Sequence, residues 1–344
     1  MLNRLLLFIM ALCLGHMLVR LHIPIPFLLG GLITALACKT LARHAQVSWP
    51  KQWREYALMI AGYGIGSTFT ADTWRNFLAE VVGVAESTVV ILAASIALAF
   101  VTAKIARENL KSCIMGMLPG GMTLSMLLCE EDKEINPNVV MVMQIIRLLG
   151  VVISVPFLVI WLLNAQVTGS SVALPNHGGV HWLVFVPLSI LGCFIAKKIH
   201  MPTPRLLGPI LATAAFAVYS NGVQPVPFWL MAPAQVSIGL FMGMQLDAER
   251  ILKTKKMVPF ILVGTALLIV VSIGMANVLS ARYGFSLVTA FLAMAPGGIA
   301  EMSLAGMSMG ENVSVILTYQ LVRVLAINIF IPPLLAWWFK PKKA

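Results

Sequence analysis

The sequence predicts an all-α integral membrane protein of two inverted repeats, each with five transmembrane helices and one re-entrant Pro-Gly-Gly hairpin, about ten crossings in total. Three observations predict it. Hydrophobic residues make up 59% of the 344 and charged residues 11%, with a mean hydropathy of +0.91, whereas a soluble domain carries roughly 25% charged residues. One block is written twice: His22-Ile23-Pro24-Ile25-Pro26-Phe27-Leu28-Leu29-Gly30 returns as His200-Met201-Pro202-Thr203-Pro204-Arg205-Leu206-Leu207-Gly208, at an offset of 178. Met117-Leu118-Pro119-Gly120-Gly121 returns as Met294-Ala295-Pro296-Gly297-Gly298 at 177, and Gln144-Ile145-Ile146-Arg147-Leu148 as Gln320-Leu321-Val322-Arg323-Val324 at 176. Such self-similarity at a near-constant offset marks an internal duplication. The third observation is the distribution of cations, which follows from the order of the segments.

The first apolar stretch, 5–19 after Arg4, has no small-x-small cleavage site behind it and an internal counterpart at 182–196, so it reads as a retained helix. Segments 24–38 and 206–220 follow the repeated Pro-x-Pro. Segments 56–71 and 229–246 carry Gly62 and Gly66 opposite Gly239 and Gly243. Segments 81–103 and 257–280 are long uninterrupted runs, and 139–163 and 313–338 close the two halves. Segments 112–128 and 286–307 differ, because Pro-Gly-Gly at the centre would break a continuous helix. If all twelve segments cross, 12 loop cations fall inside and 10 outside, which is no bias. If each Pro-Gly-Gly segment turns back, 19 fall inside and only Arg20, Arg75 and Arg282 outside, as the positive-inside rule requires. Five crossings per half then invert the second repeat relative to the first. The organisation expected is a first repeat at 1–163, an external linker at 164–181 and a second repeat at 182–344, with both termini cytoplasmic.

Inverted repeats with interrupted segments place a substrate near the bilayer midplane. The candidate binding residues are therefore the hairpin tips Pro119, Gly120, Gly121, Pro296, Gly297 and Gly298, with Thr123, Ser125 and Ser303 on their arms. Gln144 with Arg147, and Gln320 with Arg323, stand three apart on one helix face. An arginine at that depth must face the protein interior or a wet cavity. Two roles stay open for it: an anion clamp, or a cap on the carbonyls of its own hairpin. Glu301, whose counterpart is Leu124, could accept a coupling proton or cation, or neutralise Arg147 or Arg323. Glu86 and Asp247 read as interfacial, and 130–134 as a solvated turn. Five scattered cysteines without C-x-x-C spacing indicate neither a disulfide framework nor a metal cluster.

The duplicated P-x-P-x-L-L-G start, Pro-Gly-Gly and Gln-x-x-Arg together resemble the AbrB membrane-protein family, also labelled ammonia monooxygenase or AbrB-duplication proteins. The resemblance covers the whole chain and implies this architecture, while the family labels range from gene-expression regulator to oxygenase to transporter. The reading that joins residues and resemblance is a secondary transporter of a small anionic metabolite in a bacterial inner membrane, without enzymatic activity, cofactor or metal. The alternative is a membrane regulator acting on gene expression indirectly. An ammonia-monooxygenase-like enzyme stands third, since the six histidines are mostly dispersed. The expected partners are the substrate, the bilayer and a coupling proton or Na+, with no direct contact to nucleic acid. Whether the chain forms a homodimer stays open.

Overall fold

The computed structural model describes residues 2–41, 48–120, 125, 128–130, 132–161, 163, 181–220, 222–246 and 248–338, the side chains of 2, 71–79, 248, 249, 253, 336 and 337 excepted. Gly121, Thr123, Asp247 and most of the 164–181 linker lie outside these residues. The chain runs α1 (Leu2–Arg20), α2 (Pro26–Leu41), α3 (Lys51–Gly66), α4 (Ala71–Ala106), α5 (Leu110–Met117) and α6 (Pro137–Trp161). It continues through α7 (Phe185–Lys198), α8 (Pro204–Tyr219), α9 (Phe228–Met244), α10 (Ala248–Lys253), α11 (Val258–Tyr283), α12 (Leu287–Met294), α13 (Ile299–Ser308) and α14 (Val313–Trp338).

Local chemistry explains the boundaries. Both Pro-x-Pro starts adopt the same uncommon backbone: φ is 54° at His22 and at His200, 47° at Ile25 and 46° at Thr203. The right-handed helical region is disfavoured for a residue before proline, and Ile25 and Thr203 both go left-handed before Pro26 and Pro204. A β-branched residue there is a strained outlier held by its surroundings. The 36-residue α4 has the same span, at an offset of 177, as α10 and α11 together. The second copy is broken where Pro259 stands in place of Val82 of the first, and this proline sits in the first turn of α11, the position that proline favours in a helix.

Among the described residues five stretches are long and apolar enough to cross a membrane: Asn3–Arg20, Glu80–Ala106, Pro137–Trp161, Val258–Tyr283 and Val313–Leu335. Helices α2, α8 and α9 are apolar too but have 16, 16 and 17 residues, about 24–26 Å at 1.5 Å per residue. The protein is thus a helical chain of membrane character.

The helices sort into two compact units that cut across the sequence repeats. One comprises Met1–Ala79, Val152–Leu246 and Ala300–Ile316, the other Glu80–Val151, Asp247–Ile299 and Leu317–Ala344. In the first unit the close packing comes in matched pairs. A Cβ at Gly62 would lie 2.7 Å from the Leu206 carbonyl oxygen, and one at Gly239 closer still to that of Leu28. A Cβ at Gly66 would sit 2.6 Å from the Ile210 oxygen and one at Gly243 2.8 Å from the Leu32 oxygen. Gly15 against Gly30 is likewise matched by Gly192 against Gly208. Helix α3 therefore meets α8 as α9 meets α2, with partners exchanged between the halves. Only glycine allows backbones this near. Lys39 at the end of α2 donates to the carbonyls of Met244 and Leu246 just past α9, a cation at a helix C-terminus. The Trp49 indole donates to the Ser237 hydroxyl at 2.9 Å.

The second unit buries a cluster around α5: Ile114, Met115, Met117 and Leu118 with Val140 and Met143 of α6, Ile261 of α11 and Ile327 of α14. At its surface Arg282 pairs with Glu86 at 2.7 Å, both about half exposed. Lys111 at the base of α5 holds Asp132 at 2.6 Å and Glu134 at 2.8 Å. The hydrogen bond to that ammonium holds the exposed Asp132 carboxyl below the usual carboxylate range.

Candidate functional site

Both Pro-Gly-Gly sequences fall where a helix stops. Helix α5 ends at Met117 and α12 at Met294, each followed by an extended residue, Leu118 with ψ 125° and Ala295 with ψ 136°. A helix end leaves its last carbonyls without intrahelical donors, and inside a membrane water is not there to supply them. The glutamine and arginine of the closing helix fill that need. On α6, Gln144 Nε2 donates to the Met115 carbonyl at 2.9 Å and to the Ser125 hydroxyl at 2.8 Å. Arg147 Nη1 donates to the Gly116 carbonyl at 3.0 Å and to that of Leu118 at 2.7 Å.

On α14 the arrangement recurs. Gln320 Nε2 donates to Leu292 at 2.9 Å and Ala295 at 3.1 Å. Arg323 Nη1 donates to Met294 at 3.1 Å and Ala295 at 3.0 Å, and Nη2 to Gly297 at 3.3 Å and to the Gln320 side-chain oxygen. Ser272 of α11 adds a bond to the Met294 carbonyl at 3.2 Å. Of the two roles left open for the arginines, the cap on the hairpin carbonyls is present in the geometry.

The caps leave something over. Arg147 and Arg323 are 5% and 2% exposed, yet the Nε–H of each has no hydrogen-bond partner. The charge of Arg147 acts on Arg323, and no carboxylate acts on either among the described residues. The tips converge on α14 as well. A Cβ at Gly120, whose φ of 125° suits glycine alone, would stand 2.9 Å from a Val324 methyl, and Arg323 next to it holds the Gly297 carbonyl. Gly120, Gly297, Ser125, both glutamines and both arginines thus belong to one unit.

Glu301 and Ser303 lie in the other unit, on α13. Glu301 is 8% exposed in the first turn of α13, and the Ser303 hydroxyl is fully buried without a partner. The sequence offered Arg147 or Arg323 as neutraliser of Glu301. The cation that acts on it is Arg54, in the first turn of α3. Arg54 was missed because it reads as one of several loop cations. A signal was present in the duplication: its counterpart 177 residues on is Met231, as that of Glu301 is Leu124.

A family model described as "Transition state regulatory protein AbrB" matches residues 4–339. The chain belongs to the AbrB family. A relative in Bacillus subtilis (strain 168), named "Uncharacterized protein YhjN", is 25% identical over 342 residues, covering 93% of this chain and 88% of its own. The Escherichia coli (strain K12) protein named "Putative regulator AbrB" is 24% identical over 214 residues, 62% of this chain and 61% of its own. No solved structure matches the chain. The AbrB match spans both repeats, so the two Gln-x-x-Arg caps lie within the family's extent.

Proposed function

We propose that this AbrB-family chain is a secondary transporter of a small anionic metabolite, working by alternating access between inverted repeats with ten crossings and two re-entrant hairpins. In this reading it sits in a bacterial inner membrane with both termini cytoplasmic and catalyses no reaction. The observation that carries the reading is the pair of buried guanidinium groups at the two helix breaks, each with its Nε–H unspent and no carboxylate acting on it among the described residues. Burying unpaired charge is costly, and an anion accepting from both Nε–H groups would supply the missing charge and acceptors at once. Broken helices in membranes serve this purpose in transporters generally. The exchanged glycine contacts of α3 with α8 and α9 with α2 support two-fold related repeats.

The test is a thermal-shift screen of purified protein against small carboxylates, amines and amino acids. We expect a carboxylate to raise the melting temperature of the wild type and not that of Arg323→Met. Stabilisation by amines alone, or equal stabilisation of both proteins, would overturn the anion reading. The name of the Escherichia coli relative favours a second reading, a membrane regulator whose effect on gene expression is indirect. It predicts ligand binding without flux, which uptake into proteoliposomes of the stabilising compound separates.

A further inference from the structure

We infer that Arg147 is the carboxylate anchor of the chain: its Nε–Nη2 edge receives the two oxygens of a small carboxylate side-on, while Arg323 adds a single N–H and otherwise holds its own hairpin. The assignment rests on the anion reading of this site and adds the ligand's chemical class and the residue that selects it. Both hydrogen bonds of the Arg147 guanidinium leave from Nη1, to the carbonyls of Gly116 at 3.0 Å and Leu118 at 2.7 Å. Its Nε has no partner, and its Nη2 makes no bond among the described residues. Nε–H and one Nη2–H point the same way along one edge of the guanidinium plane. They are a pair of donors that matches a carboxylate with two parallel N–H···O bonds.

Arg323 leaves no such edge. Its Nη1 is engaged by the Met294 and Ala295 carbonyls and its Nη2 by the Gly297 carbonyl and the Gln320 side-chain oxygen, so of its nitrogens Nε alone has no partner. The difference between the copies has a local cause. Gln144 and Gln320 each stand three residues before their arginine, but Gln144 turns its amide nitrogen to the Ser125 hydroxyl at 2.8 Å. The residue 177 on from Ser125 is Met302, which has no hydroxyl to offer, and Gln320 accepts from its own arginine instead. Ser125 is thus a positioning residue that keeps the Gln144 oxygen off the Arg147 edge.

A guanidinium stays charged in a protein, and at 5% exposure Arg147 is withdrawn from bulk water. A buried charge needs a counter-charge that also accepts its N–H groups. A carboxylate does both, each oxygen taking one N–H of the fork and keeping a lone pair for a further donor. Contacts within the unit lead from Arg147 toward Arg323. The Leu118 carbonyl accepts from Arg147 Nη1 and, at 3.0 Å, from the Gly120 amide. A Cβ at Gly120 would stand 2.9 Å from Val324, the residue after Arg323. The Arg323 Nε–H is the further donor. A halide, with a single centre, cannot lie along both N–H directions of the fork, and an ammonium would be repelled.

The test is an NMR titration of the arginine Nε–H groups of the isotope-labelled full chain in lipid nanodiscs, with propionate and chloride added in separate runs. We expect propionate to move the Nε–H signals of Arg147 and Arg323 with one midpoint, and chloride to need about tenfold more or beyond to move them. Arg147→Lys keeps the charge and can still donate to the hairpin carbonyls, but it has no fork. It should weaken propionate by about tenfold or more, read at the Arg323 Nε–H, as the loss of a charge-assisted hydrogen bond does. Arg323→Lys gives up one N–H and no fork, and should weaken propionate by about threefold at most, read at the Arg147 Nε–H. The comparison of the two anions on the wild type stands whatever the variants do to folding. Equal midpoints for propionate and chloride, or a loss in Arg323→Lys as large as that in Arg147→Lys, would overturn the anchor and leave an anion site in place. Signals unmoved by either anion would overturn the anchor and the anion reading together.

Discussion

A methyl group added at Gly239 would fall on the Leu28 carbonyl oxygen and one at Gly62 on that of Leu206, and backbone atoms cannot turn aside as a flexible side chain can. Gly239→Ala and Gly62→Ala should each destabilise by about 1–3 kcal/mol, the usual range for overpacking. Gly274, with nothing within 4 Å of an added Cβ, is the control. There alanine should leave stability unchanged or raise it, by up to about 1 kcal/mol through helix propensity. Urea unfolding of detergent-purified protein followed by tryptophan fluorescence compares them, and equal effects at all three sites would contradict the exchanged close packing. Gln320→Leu probes a different term. It leaves the Leu292 carbonyl buried without its donor, a loss of about 1–3 kcal/mol.

At the scale of elements, the first hairpin is fixed at both ends. A Cβ at Gly120 would lie 3.9 Å from Val324 Cβ, inside the range of about 3.5–4.5 Å that a disulfide spans. In a chain cleared of its five cysteines, Gly120→Cys with Val324→Cys should oxidise to one intramolecular bridge, whereas Gly120→Cys with Val270→Cys, an exposed site on α11, should not. Absence of the first bridge would remove the convergence of the tips on α14. At the hairpin's base, the Asp132 carboxyl is depressed in the fold, so its contribution is present above its unfolded value near about 4 and lost as pH falls through the folded one. Acid should therefore lower the melting temperature of the wild type more than that of Lys111→Met. The hairpins were legible in the sequence because proline and paired glycines break a helix locally, whatever surrounds them. The caps were half legible: spacing put Gln144 and Arg147 on one face, but their carbonyl partners depend on how α5 folds back. The action of Arg54 on Glu301 was not legible, because it joins helices from opposite halves whose meeting is a tertiary event.

Topology is the property of the whole molecule on which the transport reading depends, and it rests there on counting. Five crossings per half would put nineteen cations on one side against three, the bias that the positive-inside rule favours, and an odd number would turn the second half over. An even number would leave the two halves parallel, and Gly297 would enter from the same face as Gly120. Inversion would instead bring the hairpins in from opposite faces, with arms of about 8–10 residues that could span roughly 12–15 Å, half the hydrocarbon thickness. The test uses single cysteines in the cleared chain and a membrane-impermeant maleimide on intact cells. Positions in 164–180 should label from outside, and positions beside Lys253 should label only after the membrane is opened. Labelling of both from the same side would mean an even number of crossings between them. The stretch between 181 and 247 holds α7, α8 and α9, three crossings in the inverted arrangement. Same-side labelling would therefore make one of these three a helix that does not span, and α7, with 14 residues, would be the first to examine. Opposite-side labelling would mean an odd number of crossings between the two positions, the number that α7, α8 and α9 supply if all three span.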